Sequence, residues 1–290
     1  MIYKCRNCGG NVVYDPDRKE MHCPYCDGTE TQDKLPGGGM ETCANCGAPI
    51  EAGDYRSAVK CEYCGHYTIF DERVEGVYEP RLILPFKIGK NTAVKRLENE
   101  FSRRIFAPES FLAQATVEKM EGNYVPFWLY DMKAYCHYAG TGTRVRVWVS
   151  GDTEFTETSY FQVSRDMDVD FEKLPVDASL AMEDNVMDLM EPYGYEALEN
   201  FRPEYMSGFL GEIYNQDAET LEKRARDKAG RDASVMLHNT LNGYTTLIPQ
   251  QENMPPISWH FLPQSWLIEM GILWENRCSA ESTIRTIMIH

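Results

Sequence analysis

From Thr116 to Asp170 apolar and polar positions alternate with a period of two. Val125-Pro126-Phe127-Trp128-Leu129-Tyr130 opens a long aromatic strand that extends to Tyr138, and Gly140-Thr141-Gly142-Thr143 reads as a turn. Val145, Val147 and Val149 then alternate with Arg144, Arg146 and Trp148 in a half-exposed strand, and Phe155 to Val163 continues the sheet. This pattern predicts an antiparallel meander of four or more strands. Upstream, Leu82, Leu84 and Phe86 alternate in an edge strand, since a proline at 85 is tolerated only at an edge. An amphipathic helix follows from Thr92 to Arg104, with Ala93, Val94, Leu97 and Phe101 as its apolar face, and a helical turn begins near Pro108.

Downstream the period changes. Asp177 to Met190 places Leu180, Val186, Met187, Leu189 and Met190 at helical spacing until Pro192 and Gly194 interrupt it. Tyr205 to Tyr214 reads as a close-packing helix or turn. Asp217 to Leu241 is a long helix with Leu221, Ala225, Ala229, Val235 and Leu237 inside and the pair Glu219/Lys223 outside; Asn242-Gly243 ends it. Tyr244–Ile248 and Ser258–Ile268 are two further strands. Val125-Pro126-Phe127-Trp128-Leu129 is echoed by Leu262-Pro263-Gln264-Ser265-Trp266-Leu267, so the two segments are candidates to flank one sheet.

The first 75 residues follow another rule. Cysteines occur as four C-x2-C pairs, Cys5/Cys8, Cys23/Cys26, Cys43/Cys46 and Cys61/Cys64, and the second half repeats the first 38 positions on. Cys-Arg-Asn-Cys-Gly at 5–9 matches Cys-Ala-Asn-Cys-Gly at 43–47, and Cys-Pro-Tyr-Cys at 23–26 matches Cys-Glu-Tyr-Cys at 61–64. A C-x2-C turn directs two thiolates to one side of a tight loop, and a second such turn completes a tetrahedral Zn2+ site. Each fourteen-residue gap accommodates two short strands and a turn, at Asp15-Pro16-Asp17 in the first and Ala52-Gly53-Asp54 in the second. Gly9 and Gly47 follow a second cysteine, where positive φ is needed. The reading is two tandem zinc ribbons, each with a closed four-thiolate structural site, and His22 and His66 beside the ligands rather than among them. Disulfides would need an oxidising compartment, and no secretory signal precedes the first cysteine. A redox C-x2-C pair would sit on a βαβ unit.

The expected organisation is therefore ribbon 1 at 1–30, a glycine-rich linker at 31–41 that leaves the ribbons free in orientation, ribbon 2 at 42–75, and an α+β domain at 80–290 with a mainly antiparallel sheet and several helices. No run of about 18 apolar residues is present, so a cytoplasmic, reducing location is expected. The formal charge of −16 disfavours nucleic acid as a partner. Charge is not segregated in the ribbons either: eight Lys/Arg stand against thirteen Asp/Glu in residues 1–75.

Catalytic patterns are missing from the larger domain: it has no H-E-x-x-H, G-x-S-x-G or phosphate-binding loop. Cys136-His137 offers a nucleophile and a base, but strand alternation puts adjacent side chains on opposite faces. Glu183, Asp184, Asp188 and Glu191 read as a solvated helix face, Arg144 and Arg146 as sheet-surface residues, and Tyr193, Tyr195, Tyr205 and Tyr214 as packing residues with polar tips.

The double C-x2-C repeat, with Ile83-Leu84-Pro85-Phe86, Gly122-Asn123-Tyr124-Val125-Pro126-Phe127-Trp128, Leu174-Pro175-Val176-Asp177-Ala178-Ser179 and Glu191-Pro192-Tyr193-Gly194-Tyr195, resembles a family of Firmicutes TFIIB-type zinc-ribbon-containing proteins over roughly residues 1–262. The resemblance implies two structural zinc ions, no established enzymatic activity, and an envelope-associated adaptor encoded near phage-shock, flotillin-like (SPFH) and TPM-domain proteins. It therefore implies protein partners and a place at the inner face of the plasma membrane. Many members carry a C-terminal membrane helix; here the chain departs from the family pattern after Leu262-Pro263, which is read as a frameshift or truncation near Pro263. The resulting expectation is a non-catalytic zinc-binding adaptor. The alternatives are a nucleic-acid-binding ribbon protein and an enzyme with its site in the α+β domain.

Overall fold

The computed structural model describes residues 1–29, 32–35, 41–75, 79–101, 120–249 and 258–274. The expected helical turn near Pro108, the triple glycine at 37–39 and the tail from Glu275 lie outside them. The chain divides into two compact units. Unit 1 comprises Met1–Trp128, Asp177–Asp217 and the segment from Trp266; unit 2 comprises Leu129–Val176 and Ala218–Ser265.

Unit 1 begins with β1 (Ile2–Cys5), the hairpin β2 (Val13–Asp15) and β3 (Glu20–His22), and β4 (Gln32–Leu35). The turn of that hairpin is made as expected: Asp15 Oδ1 accepts the amide N–H groups of Asp17 and Arg18, and Lys19 takes a positive φ of 58°. β4 pairs antiparallel with β1, Ile2 opposite Leu35 and Cys5 opposite Gln32. The segment expected to be a free linker thus carries a ladder strand. The second repeat differs from the first. Its gap between cysteine pairs ends in one strand, β5 (Arg56–Lys60), which pairs with β6 (Tyr67–Ile69) beyond the last cysteine pair.

A four-residue helix α1 (Asp71–Val74), the strand β7 (Leu82–Leu84) and the helix α2 (Lys90–Phe101) follow. Ala93 and Leu97 of α2 are buried, as the apolar spacing predicts. Unit 1 also holds the start of β8 (Glu121–Ser150), the short helix α3 (Asp184–Asp188), β10 (Glu199–Asn200), a 3-10 turn at Pro203–Met206, β11 (Leu210–Glu212) and the end of β13 (Ser258–Trp274). Its sheet runs β10-β7-β13-β8-β11-β5-β6. Two of its pairings, β11 with β8 and β13 with β7, are parallel, while β10 with β7, β11 with β5 and β5 with β6 are antiparallel, so the mainly antiparallel sheet expected also carries parallel pairs. The two echoed Pro-Trp segments lie on β8 and β13, which are neighbours in this sheet. β13 runs across Pro263, and Ile268–Met270 pair with Leu82–Leu84.

One core joins both cysteine repeats to the rest of unit 1. Tyr3, Val12 and Tyr14 pack in it with Ala58 and Ile69 of the second repeat and with Ile83, Phe86, Leu97, Tyr124 and Met206. Ile69 N–H donates to the Met1 carbonyl, Tyr14 N–H to that of Ser207, and Ser207 Oγ to that of Val12. The repeats are consequently held in one orientation by shared burial, against the expectation of a flexible joint. Phe86, Tyr124 and Phe209 form an aromatic triangle with centroids 4.3–5.6 Å apart. Gly122 is required beside it, because a Cβ there would meet Phe209 at 2.5 Å and Phe86 at 2.8 Å. Buried Glu212 accepts hydrogen bonds from Asn123 Nδ2 and Ser179 Oγ and lies 3.4 Å from Arg56 Nη1, tying β11 to β8, β5 and the 177–179 segment. The helix expected over 177–190 shrinks to α3; Leu180 and Leu189, counted in its helical spacing, are 71% and 83% exposed.

Unit 2 is organised by a very long hairpin. β8 continues without interruption to Ser150, and β9 (Thr153–Asp177) returns beside it. Gly140-Thr141-Gly142-Thr143 is thus strand interior rather than a turn. A Cβ at Gly142 would meet the Tyr244 ring at 2.5 Å, and one at Gly140 would meet the Ile248 carbonyl and Tyr138 Oη at 2.6 Å. These glycines let β12 (Thr246–Pro249) approach β8, a second use of glycine in strands. The meander of four or more strands is replaced in this unit by this pair and β12.

The long helix α4 (Ala218–Thr240) covers one face of the hairpin, within a residue of the expected bounds. Its buried line, Leu221, Ala225, Ala229, Ala233 and Leu237, recurs every four residues. Ala233 and Leu237 of that line, with Leu241 just beyond the helix, pack with Ala134, Cys136, Tyr138 and Val163 of the strands. Val235, expected inside, falls off the line and is 61% exposed. Among the described residues only α2 and α4 exceed two turns, so the domain is richer in sheet and poorer in helix than expected.

Removing a fully buried aromatic side chain costs about 3–5 kcal/mol. Tyr3→Ala is therefore expected to lower the urea midpoint of the main unfolding transition of the zinc-loaded chain. An unchanged main transition, with only a small separate one, would show the first repeat to be an independent module.

Candidate metal centre

Each C-x2-C pair is folded by the same two backbone bonds. The N–H four residues after the first cysteine donates to that cysteine's carbonyl: Gly9 to Cys5, Asp27 to Cys23, Gly47 to Cys43 and Gly65 to Cys61. The first cysteine's own N–H donates to the carbonyl of the next residue on, Gly10, Gly28, Ala48 or His66. The residue after the second cysteine is left-handed in all four loops, with φ of 72°, 60°, 72° and 71°. Three of these are glycines. The fourth is Asp27, one of the side chains that tolerate this region, and its carboxylate is anchored by His22 Nε2 at 2.7 Å and Arg18 Nη2 at 3.0 Å.

The four loops bring the eight predicted cysteines into two groups, Cys5/Cys8/Cys23/Cys26 and Cys43/Cys46/Cys61/Cys64, with all sulfurs of a group within 4.8 Å of one another. Close Sγ···Sγ separations are 3.5 Å (Cys8–Cys23), 3.6 Å (Cys5–Cys26 and Cys43–Cys64) and 3.8 Å (Cys46–Cys61). A tetrahedron with Zn–S bonds of about 2.3 Å has edges of about 3.8 Å, whereas a disulfide needs about 2.05 Å. The donor set therefore fits a four-coordinate thiophilic ion in each group, with every position taken by protein. Cys5 and Cys23 are buried members of the unit 1 core, and Cys43 and Cys61 are equally buried, while Cys8 and Cys46 lie at the surface.

The electrostatics repeat as the geometry does. The Gly28 N–H, then Cys8 and Cys5, hold the Cys26 thiol down at about 7. At the equivalent Cys64 burial opposes ionisation, but the His66 N–H and Asn45 outweigh it, again to about 7. At Cys8 the Gly10 N–H favours the thiolate, yet bonds with Cys23 and Cys26 push it up to about 12; at Cys46 the Ala48 N–H is likewise overcome by burial and by Cys64, also to about 12.

His22 and His66 are not ligands. His22 is engaged by Asp27, and Asn45 Nδ2 donates to Nδ1 of buried His66 at 3.2 Å, while burial lowers the His66 pKa and keeps it neutral. Asn45 is a supporting residue that the spacing rule passed over; its identity with Asn7 in the repeated Cys-x-Asn-Cys was the available signal.

The other candidate chemistry does not converge. Cys136 is buried beneath α4 with its thiol pushed up by burial, while His137 is on the opposite face. There His137 Nδ1 and Tyr135 Oη share Asp166 Oδ1, at 2.6 and 2.7 Å. The pair is thus separated by the sheet, as alternation predicts. Arg144 lies over the Phe161 and Tyr244 rings and donates to the Gly243 carbonyl, and Arg146 lies over Trp148. Tyr193 is buried, its hydroxyl donating to the Met187 carbonyl.

Fold and site together define a mixed-sheet protein whose first layer is built on two closed four-cysteine clusters. The chain is 33% identical over 256 residues to the protein titled "Uncharacterized protein YdjG" from Bacillus subtilis (strain 168), a match that covers 84% of this chain and 75% of that one. It belongs to the YdjG family. No family model and no solved structure matches it.

Elemental analysis of the purified chain is expected to find two metal ions, falling to one in either Cys23→Ser or Cys61→Ser. Ligand thiols have pKa values lowered below those of free cysteine by the bound cation. Their stabilisation is present at neutral pH and above and is lost as pH falls. Metal retention in the presence of a chelator should therefore collapse between about pH 7 and 5, read by elemental analysis after desalting.

Proposed function

We propose that this chain is a non-catalytic zinc protein, with two structural TFIIB-type zinc ribbons, that acts as an adaptor between other proteins. The observation that carries the reading is the closed donor set: four thiols complete each tetrahedron, leaving no coordination position for water or substrate. The ions would be held by Cys5, Cys8, Cys23 and Cys26, and by Cys43, Cys46, Cys61 and Cys64, and would supply folding energy rather than Lewis-acid chemistry. The residues around them supply the rest: backbone N–H groups bond the sulfurs and spread the excess negative charge, and buried Cys5 and Cys23 transmit the ion's hold to the core of unit 1.

The adaptor role is supported by the surface. Tyr25 and Tyr63 occupy the same position in the two repeats and are 68% and 74% exposed, a pair of aromatic handles presented by rigid loops. A net charge of −16 opposes a phosphate-backbone partner. The proposed partners are the phage-shock, SPFH or TPM-type envelope proteins that the family resemblance implies. The setting proposed is a reducing compartment at the inner membrane face; no described helix is long and apolar enough to cross a membrane.

The test is capture of partners from native cells by the zinc-loaded wild type and by Tyr25→Ala/Tyr63→Ala. Deleting residues 1–75 would be the wrong comparison, because it removes part of the unit 1 core. Loss of a partner in the double variant, with two metals retained, is expected. Binding of DNA at physiological salt that disappears in Cys43→Ser would overturn the reading in favour of a nucleic-acid role.

A further inference from the structure

The far end of the β8/β9 hairpin, in unit 2, exposes apolar side chains on both faces. Val145, Val147 and Val149 are 41%, 54% and 67% exposed, Trp148 is 40% exposed and Tyr160 71%. β12 covers the outer edge of β8 only as far as Thr143, with Thr246 opposite Thr143 and Pro249 opposite Gly140. Beyond that point no described strand flanks β8 on this side.

Two independent observations fix which backbone groups point outward there. Thr245 N–H donates to the Thr143 carbonyl, and Val145 N–H donates to Thr245 Oγ1, so odd-numbered residues of β8 face the outer edge. Gly151 and Asp152 form a two-residue turn, and Trp148 stacks on Phe155 across it with centroids 5.5 Å apart. The pairs Lys133–Asp170 and His137–Asp166 lie on the same register, so even-numbered residues bond to β9. The Val145 carbonyl and the N–H and C=O of Val147 and Val149 are thus directed away from β9 along an open edge. That edge lacks proline and a bulge, devices that commonly block pairing, and its two charged side chains, Arg144 and Arg146, lie on the face opposite the valines.

The segment Arg144-Val-Arg-Val-Trp-Val-Ser150 is complementary to itself about Val147. Set antiparallel against a second copy, Val147 faces Val147, Val145 faces Val149, and Arg146 faces Trp148. The valines then form one continuous strip. On the opposite face each Arg146, which lies over its own Trp148 at 5.4 Å, gains the partner's indole as a second cation–π surface. The register within the hairpin places Glu157 across from Arg146, which offsets the approach of two arginines. Two backbone bonds close at the Val147 pair, and two more run from Val149 N–H to the Val145 carbonyl of the other copy. The apolar surface open on the valine face, on the order of 400 Å² with Tyr160, is within the range of the largest patch on a typical monomer, which is often functional. The apex carries Asp152 and Glu154, which argue against burial of the tip in a lipid surface.

We propose that the outer edge of β8 at 145–149 is a homodimer interface, in which two copies pair antiparallel about Val147 and join their hairpins into one four-stranded sheet. A two-fold contact of this kind is self-limiting, because each copy uses the same edge.

The test uses the full zinc-loaded chain. Light scattering behind size exclusion, over micromolar concentrations, is expected to give twice the chain mass of 33.3 kDa for wild type. Val147→Pro removes an outward N–H without breaking a bond to β9 and should give the monomer mass, with association weakened at least tenfold. Opposed residues in a hydrogen-bonded antiparallel pair have Cα atoms about 5.5 Å apart, within disulfide range. In Val147→Cys, oxidised glutathione should therefore cross-link the two introduced thiols, each copy losing one electron and one proton to it. Tyr160→Cys, on the other strand, should stay uncrosslinked. A monomeric wild type overturns the proposal, as does a dimer that survives Val147→Pro and gives no cross-link in Val147→Cys. Where the proline variant loses its two metals or its secondary structure, the cross-link decides alone.

Discussion

Cys5 and Cys23 are ligand-type residues and core residues at once, and much of unit 1 hangs on that double role. A four-thiol cluster without a cation is a set of crowded, mutually coupled thiols. With a cation it is a rigid corner from which β1 and the β2/β3 hairpin project. Tyr3, Val12 and Tyr14 on those strands are then delivered into the same core as Ile69, Phe86, Tyr124 and Met206. An ion held there would make metal binding and hydrophobic burial one cooperative event in this part of the chain, because a small cysteine repeat has little apolar surface of its own to order these strands.

This coupling gives the repeats a different character from beads on a string. β4, in the connecting segment, is tied to β1, and β5 joins β6 and β11 in the large sheet. The second repeat forms an edge of a domain sheet, and the first caps its core. What the two repeats leave outside is the equivalent tyrosines of the last loops, Tyr25 and Tyr63. In the other unit the same logic is carried by small residues. Small residues on α4 and glycines on β8 permit close approach, so a hairpin more than twenty residues long is covered along its lower half and exposed at its tip.

The eight sulfur positions, the pairing of the loops into two clusters, the left-handed Gly9 and Gly47 and the bounds of α4 were legible in the sequence, while left-handed Asp27 and Gly65 were not read from it. Each depends on contacts a few residues apart or on a strict repeat, and the local rule is the whole rule. The separation of Cys136 from His137 was legible for the same reason, since strand alternation is a property of the backbone. Asn45 was not, because its partner His66 is 21 residues away and reached only when the knuckles close.

What tertiary structure alone decided were the features in which one residue type serves two purposes. Gly140 and Gly142 read as a turn, yet they admit the Tyr244 ring and the β12 backbone, which no local pattern encodes. The segment 177–190 has helical spacing, but only Asp184–Asp188 is helical and Leu180 and Leu189 point outward. Leu35 and its neighbours looked like linker until β1 offered them a ladder. The sequence by itself determined the metal-binding loops, because their geometry is set by covalent chain and backbone hydrogen bonds. The tertiary structure decided that those loops belong to the core, because burial is a property of the residues that meet and not of the residues in line.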